Sequence, residues 1–138
     1  MFRHPITGCK LSRKIFQGGL FSVLAVTAAV DVGIIVNRNG AEAQVQGSIV
    51  DGLSVLAGQR IEYEQGVVQQ TNLHQYPLLR MPGAPKMRVN FVPSTQRPTG
   101  LGEPALPPVA PAVANALFAA GGSRIRQLPF SAAGWQLV

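Results

Sequence analysis

The chain has 138 residues, room for one domain with its own core and too few for two. Hydrophobic residues make up 46% of it but charged residues only 13%, about half the usual share, which suits faces covered by neighbouring segments. The net charge of +6 falls to +2 once the acid-free start with Arg3, Lys10, Arg13 and Lys14 is set aside, so the basic, aromatic-laced face of a nucleic-acid binder is missing.

Residues 10–30, KLSRKIFQGGLFSVLAVTAAV, run from basic to apolar to small residues, the outline of a secretory signal with a cleavage site at Val26-Thr27-Ala28. Within them SRKIF resembles a twin-arginine export motif with Lys14 in the second arginine's place. The alternative takes Val23 to Asn37, VLAVTAAVDVGIIVN, as a buried β-strand region rich in β-branched residues and stopped by Asn37 and Gly40. Asp31 breaks the apolar run before the roughly 18 residues of a transmembrane helix accumulate. Cys9 stands alone, which excludes an internal disulfide and a cysteine metal site. His4 and His74 have no ligand spacing; they read as a solvated residue and a hydrogen-bonded loop residue.

A helix follows. Asn39 is its expected N-cap, with Glu42 completing a capping box. Val45, Ile49, Leu53 and Leu56 recur at helical spacing, Gly58 suits the stop, and Gln44, Ser48 and Asp51 take the opposite side. Gly47 and Gly52 each weaken an isolated helix by about 1 kcal/mol, so close packing is expected at both. QRIEYEQGVVQQ reads as a β-hairpin turning at Gln65-Gly66, and TNLHQYPLLRMPGAP as loop. KMRVNFV alternates Met87, Val89 and Phe91 against Lys86, Arg88 and Asn90, a half-buried strand. After a loop from Pro93 to Pro107, PPVAPAVANALFAAGG predicts an Ala-rich helix. Pro108 or Pro111 lies in its first turn, Gly121 at its C′ position, and Val109, Val113 and Leu117 along one stripe. RIRQLPF offers a last short strand. The order strand, helix, hairpin, strand, helix predicts an α+β domain rather than a doubly wound sheet.

One acid stands out. Glu103 lies between Gly102 and Pro104, with Glu64 the nearest acid upstream and none downstream. The glycines at 100 and 102 allow a ligand to approach the backbone, and a carboxylate in a water-poor pocket can serve as a general base. Capping the following helix, or pairing with an arginine such as Arg97, explains the same residue without chemistry. No Ser/His/Asp set, second nearby acid, phosphate-cradling loop or dinucleotide fingerprint accompanies it.

Three longer stretches carry a resemblance: AVDVGIIVNRNGAEAQVQGSIVDGLS, HQYPLLRMPGAPKMRVNFVPS and GLGEPALPPVAPAVANALFAAGGSRIRQLPF. Together they resemble the C-terminal end of the molybdopterin-binding large subunit of the xanthine dehydrogenase/aldehyde oxidase family, in its isoquinoline 1-oxidoreductase β-subunit branch. The resemblance implies an α+β fold of mixed strands with two main helices, a partial domain of the molybdopterin-binding fold. Residues 23–138 are then the C-terminal part of that domain, and residues 1–22 an unmatched segment.

It also implies a molybdenum-bearing molybdopterin, in the cytosine dinucleotide form, and iron–sulfur clusters on a small 2Fe–2S partner subunit. The implied reaction hydroxylates an aldehyde or an N-heterocycle with water-derived oxygen, and hydride passes to a molybdenum-sulfido centre. By the same resemblance Glu103 is the general base and Gln44 a hydrogen-bonding neighbour of the pterin. A polar residue on a solvated helix face is the other reading of Gln44. The counterpart of AVDVGIIVN is an internal strand, so cleavage near Ala28 would cut into the fold. Family large subunits are several times longer, so the expectation is a truncated or split large subunit, inactive alone and completed by an upstream part. A non-catalytic remnant or subunit-assembly module, and a small exported protein with an N-terminal signal, are the other readings. Cytoplasmic and periplasmic placement are both compatible with them.

Overall fold

The computed structural model describes residues 6–11 and 19–138. Its centre is strand β3 (Val23–Val30), flanked by β1 (Ile6–Leu11) on one side and β6 (Lys86–Phe91) on the other. β1 runs antiparallel to β3 and β6 parallel to it, with Ala28 opposite both Ile6 and Val89. A parallel pair needs a long crossover. Here it comprises helix α1 (Arg38–Ala57), the hairpin β4 (Tyr63–Glu64) and β5 (Val67–Val68), and a loop with short 3₁₀ turns at Leu73–Gln75 and Met81–Gly83. Helix α2 (Val109–Ala119) follows β6, and β2 (Leu20–Phe21) pairs in parallel with β7 (Gln136–Leu137).

The two helices lie side by side on the sheet, α1 against β6 and α2 against β1. Alternation explains the sheet's inner face: Val26, Ala28 and Val30 of β3 and Val89 of β6 are buried, whereas Lys86, Arg88 and Asn90 point to solvent. The helical stripe Val45, Ile49, Leu53 and Leu56 is fully buried against them. Val109, Val113 and Leu117 of α2 complete the core, with Phe21 and Phe130 in tilted ring contact at 6.3 Å. This is the α+β arrangement, with its mixed strands and two main helices, that the order of elements predicts.

Several local expectations change. The buried strand region predicted for Val23–Asn37 stays strand only to Val30: beyond it Val32 is still buried, but Asp31, Ile34 and Val36 are exposed. The segment instead runs beside the loop after β6, through Ile34 N–H to Gln96 O (3.1 Å) and Thr99 N–H to Val32 O (2.9 Å). Gly33 makes this contact possible, since its φ of +78° suits glycine and a Cβ there would meet Gln96 O at 2.8 Å. Ala28 is fully buried in mid-strand, so the strand reading holds where the cleavage site was placed. SRKIF and His4 lie outside the described residues.

The N-cap of α1 is Asn37, not Asn39; its side chain accepts from Gly40 N–H at 3.0 Å, and Glu42 pairs with Arg38 one turn on. Gly58 is the C-cap, as predicted. The hairpin forms with Gln65 and Gly66 both at positive φ, and α2 ends with Gly121 at φ +99°. RIRQLPF forms no strand, although Ile125 and Phe130 are buried; the last strand is β7. His74 is exposed in its 3₁₀ turn.

The two helix glycines differ. Nothing lies near the position of a Gly47 Cβ, so close packing does not explain that residue. At Gly52 a Cβ would meet Val109 Cβ and Cγ2 at 2.8 Å and Leu106 O at 2.9 Å. Neither can give way easily, because Leu106 O is backbone and Val109 is buried. We therefore expect Gly52→Ala to destabilise by about 1–3 kcal/mol through overpacking, despite a helix-propensity gain of about 1 kcal/mol. Urea denaturation of the two chains gives the sign.

Candidate functional site

Gln44 stands on the second turn of α1, held there by the buried neighbours Ala41 and Val45, and its own side chain is exposed. Glu103 stands in the loop between β6 and α2, also exposed. These loop residues are pinned along their length: Gln96 and Thr99 to residues 32–34 as above, Gly102 by the hydroxyl of Ser48, which donates to its carbonyl, and Glu103 by Leu106 N–H, 3.0 Å from its backbone carbonyl. Leu106 O in turn accepts from Val109 N–H at 3.2 Å, so the loop leads directly into the first turn of α2.

The result is a juxtaposition that no local sequence pattern contains. Gln44 Oε1 lies 3.8 Å from the point where a Cβ on Gly102 would sit, so the amide borders the turn that presents Glu103. Neither side chain has a hydrogen-bond or ion-pair partner among the described residues. Among the described residues Glu103 bonds through its backbone carbonyl and makes no side-chain hydrogen bond, so it does not cap α2. Nor does it pair with Arg97; the ion pairs among the described residues are Arg38–Glu42 and Arg60–Glu62. No side-chain hydrogen bond of Gln44 occurs among the described residues. Both structural explanations of Glu103 considered from the sequence therefore fail.

The water-poor pocket expected around Glu103 is not formed by these residues either, since the carboxylate is open to solvent. The position of a Cβ on Gly100, three residues before Glu103, is open space, as is that on Gly47, one turn beyond Gln44 on α1. A flat polar group could approach the backbone at both glycines. Among the described residues no cluster of His, Cys, Asp and Glu could hold a metal ion by itself. A carboxylate, an amide and open glycine backbone bind and move protons; they need a partner for redox chemistry.

Sequence reasoning placed Ser48 on a solvated side of α1, and that is corrected: Ser48 is 3% exposed, covered by the glycine loop. Its only local signal is its place four residues after Gln44, on the same helix face.

A sequence model of the family described as "Molybdopterin cofactor-binding domain" matches residues 17–85, a range that includes Gln44 and stops short of Glu103. The membrane-bound aldehyde dehydrogenase (pyrroloquinoline-quinone) of Gluconacetobacter polyoxogenes is 40% identical over 111 residues, covering 80% of this chain and 14% of that protein. The isoquinoline 1-oxidoreductase subunit beta of Brevundimonas diminuta is 39% identical over 108 residues, covering 78% and 14%. Among solved structures, the reconstituted CO dehydrogenase from Oligotropha carboxidovorans superposes with a TM-score of 0.68 at 26% identity, over 83% of this chain and 15% of that one. The chain thus spans about a seventh of the length of each of these proteins.

Proposed function

The chain belongs to the molybdopterin cofactor-binding domain family, as a segment of a molybdopterin-binding large subunit, and on that premise we propose that it forms one wall of a molybdenum hydroxylase site. The substrate class is an aldehyde or an N-heterocycle, hydroxylated with oxygen from water. The observation that carries this reading is the placement of Gln44 beside the Gly102–Glu103 turn, with neither side chain hydrogen-bonded or ion-paired among the described residues.

The residues present suit the group. The Gln44 amide both donates and accepts hydrogen bonds, as the edge of a pterin requires. No atom lies near the position of a Cβ on Gly100 or Gly47, so neither glycine is covered by the described residues. The molybdenum cofactor, in its cytosine dinucleotide form, supplies the two-electron oxidation when bound, and a small 2Fe–2S subunit carries the electrons away. Glu103 accepts the proton given up by the water-derived oxygen as it attacks the substrate carbon. Because that carboxylate is exposed here, other parts of the large subunit must exclude water before it can act as an efficient base. The isolated 138 residues are accordingly inactive.

Gln44→Ala tests the cofactor half of the reading in the assembled large subunit. We expect molybdenum per protein to fall about tenfold or more, by the loss of a polar contact to a bound group, while the fold is unchanged because Gln44 is exposed. Unchanged molybdenum content removes Gln44 from the site. Purification of the 138-residue chain with stoichiometric molybdenum and aldehyde-dependent dye reduction would overturn the claim that it needs the remaining walls.

A second reading, a subunit-assembly module without turnover, is favoured by one feature. The hairpin and the loop after it expose Tyr63 (70%), Val67 (63%), Leu73 (86%) and Met81 (87%), apolar groups suited to a covered surface. Turnover in the assembled enzyme that depends on Glu103 decides against it.

A further inference from the structure

A buried serine inside a helix normally returns its hydroxyl proton to its own backbone four residues earlier. Ser54 does this in α1, donating to Val50 O at 2.9 Å, and it also accepts from Leu79 N–H at 2.9 Å. Ser48, equally buried, does otherwise: its hydroxyl crosses to the carbonyl of Gly102, 54 residues along the chain. That bond ties α1 to the loop at the residue before Glu103. Four residues back, on the same face of α1, stands Gln44, whose Oε1 borders the same glycine. One helix face thus sets both the amide and the height at which the carboxylate is carried.

We propose that Ser48 is a positioning residue: its bond to Gly102 holds the Glu103 turn against Gln44, so that carboxylate and amide meet the same bound group. The proposal deepens the reading of Glu103 as proton acceptor and rests on it for its catalytic consequence. The anchor itself is a property of this chain and is measurable without cofactor.

Ser48→Ala is the variant of choice, because alanine is the best helix former and leaves α1 intact. Gly102 is exposed, so water can satisfy its freed carbonyl and the fold keeps its stability. In hydrogen exchange on the full chain, the amides of Leu106 and Val109, which close the turns after Glu103, should exchange about tenfold faster, the factor expected from one ordinary hydrogen bond. Those of Ile49 and Leu53 in α1 should keep their rates, and Ser48→Thr, which retains the hydroxyl, should restore Leu106 and Val109. Unchanged exchange at Leu106 and Val109 in the alanine variant overturns the proposal.

In the assembled, molybdenum-loaded subunit, kcat should fall about tenfold with KM and metal content unchanged, and the threonine variant should recover it. A kcat untouched by Ser48→Ala, in an enzyme that loses turnover on Glu103→Gln, also overturns the proposal. Full turnover of Glu103→Gln instead defeats the proton-acceptor reading, and the exchange rates then decide the anchor alone.

Discussion

Replacing Glu103 by glutamine is expected to lower turnover of the assembled large subunit by about 10²–10⁴-fold, the usual contribution of a positioned general base, with molybdenum content unchanged. The substitution keeps shape and length and removes only the ability to take up a proton. Nothing in the described fold rests on the carboxylate. Among the described residues it caps no helix and joins no ion pair, and it is exposed. The bonds that hold the turn use the backbone: Leu106 N–H to the Glu103 carbonyl, and Ser48 to the carbonyl of Gly102. A surface change away from such features shifts stability by about 0.5 kcal/mol or less. Loss of activity would therefore report chemistry, and an enzyme with near wild-type turnover would remove Glu103 from the mechanism. Equal denaturation midpoints for the two proteins are the control.

Leu53→Ala is expected to have the largest effect on the fold, about 2–5 kcal/mol of destabilisation. Leu53 is fully buried in α1, in the same cluster as Val30, Val89, Val109 and Val113. Removing its branched end leaves a cavity where α1, α2 and the sheet meet, and a packed interior relaxes only partly into such a gap. Against a typical domain stability of about 5–15 kcal/mol, that is a large share. The effect reaches the site through α1, which carries Gln44, Ser48 and the core stripe. Urea denaturation measures it, and a loss below about 1 kcal/mol, the scale of a minor repacking, would show that α1 is not held by this stripe.

What the sequence made legible follows physical range. The core stripe of α1, the stripe of α2 and the alternation of β6 are local periodicities, and each forms as predicted because burial on one face enforces it. Gln65-Gly66 likewise carries its own turn geometry. The N-cap was expected at Asn39, but Asn37 is the cap because Arg38 and Asn39 are already helical and Glu42 is engaged by Arg38. The predicted strand at RIRQLPF failed for a different reason. Burial of Ile125 and Phe130 is real, but strand formation needs a partner, and the edge of β2 pairs with Gln136–Leu137 instead.

The site was the least legible part. Glu103 drew attention as a lone acid between glycine and proline, and its role came only from resemblance. Its neighbourhood is made by contacts between α1 and a loop more than fifty residues on, which no periodicity encodes. Ser48 was misplaced on the solvated side for the same reason, because the element that buries it is distant in sequence.

The central claim is that this chain carries Gln44 and Glu103 to one molybdenum site. Anomalous diffraction at the molybdenum edge, from crystals of the assembled large subunit, tests it most directly. A single strong peak beside the Glu103 carboxylate, on the side of the turn bordered by Gln44, is the expected result. A peak remote from both residues, or a pyrroloquinoline quinone in place of any metal, would contradict it.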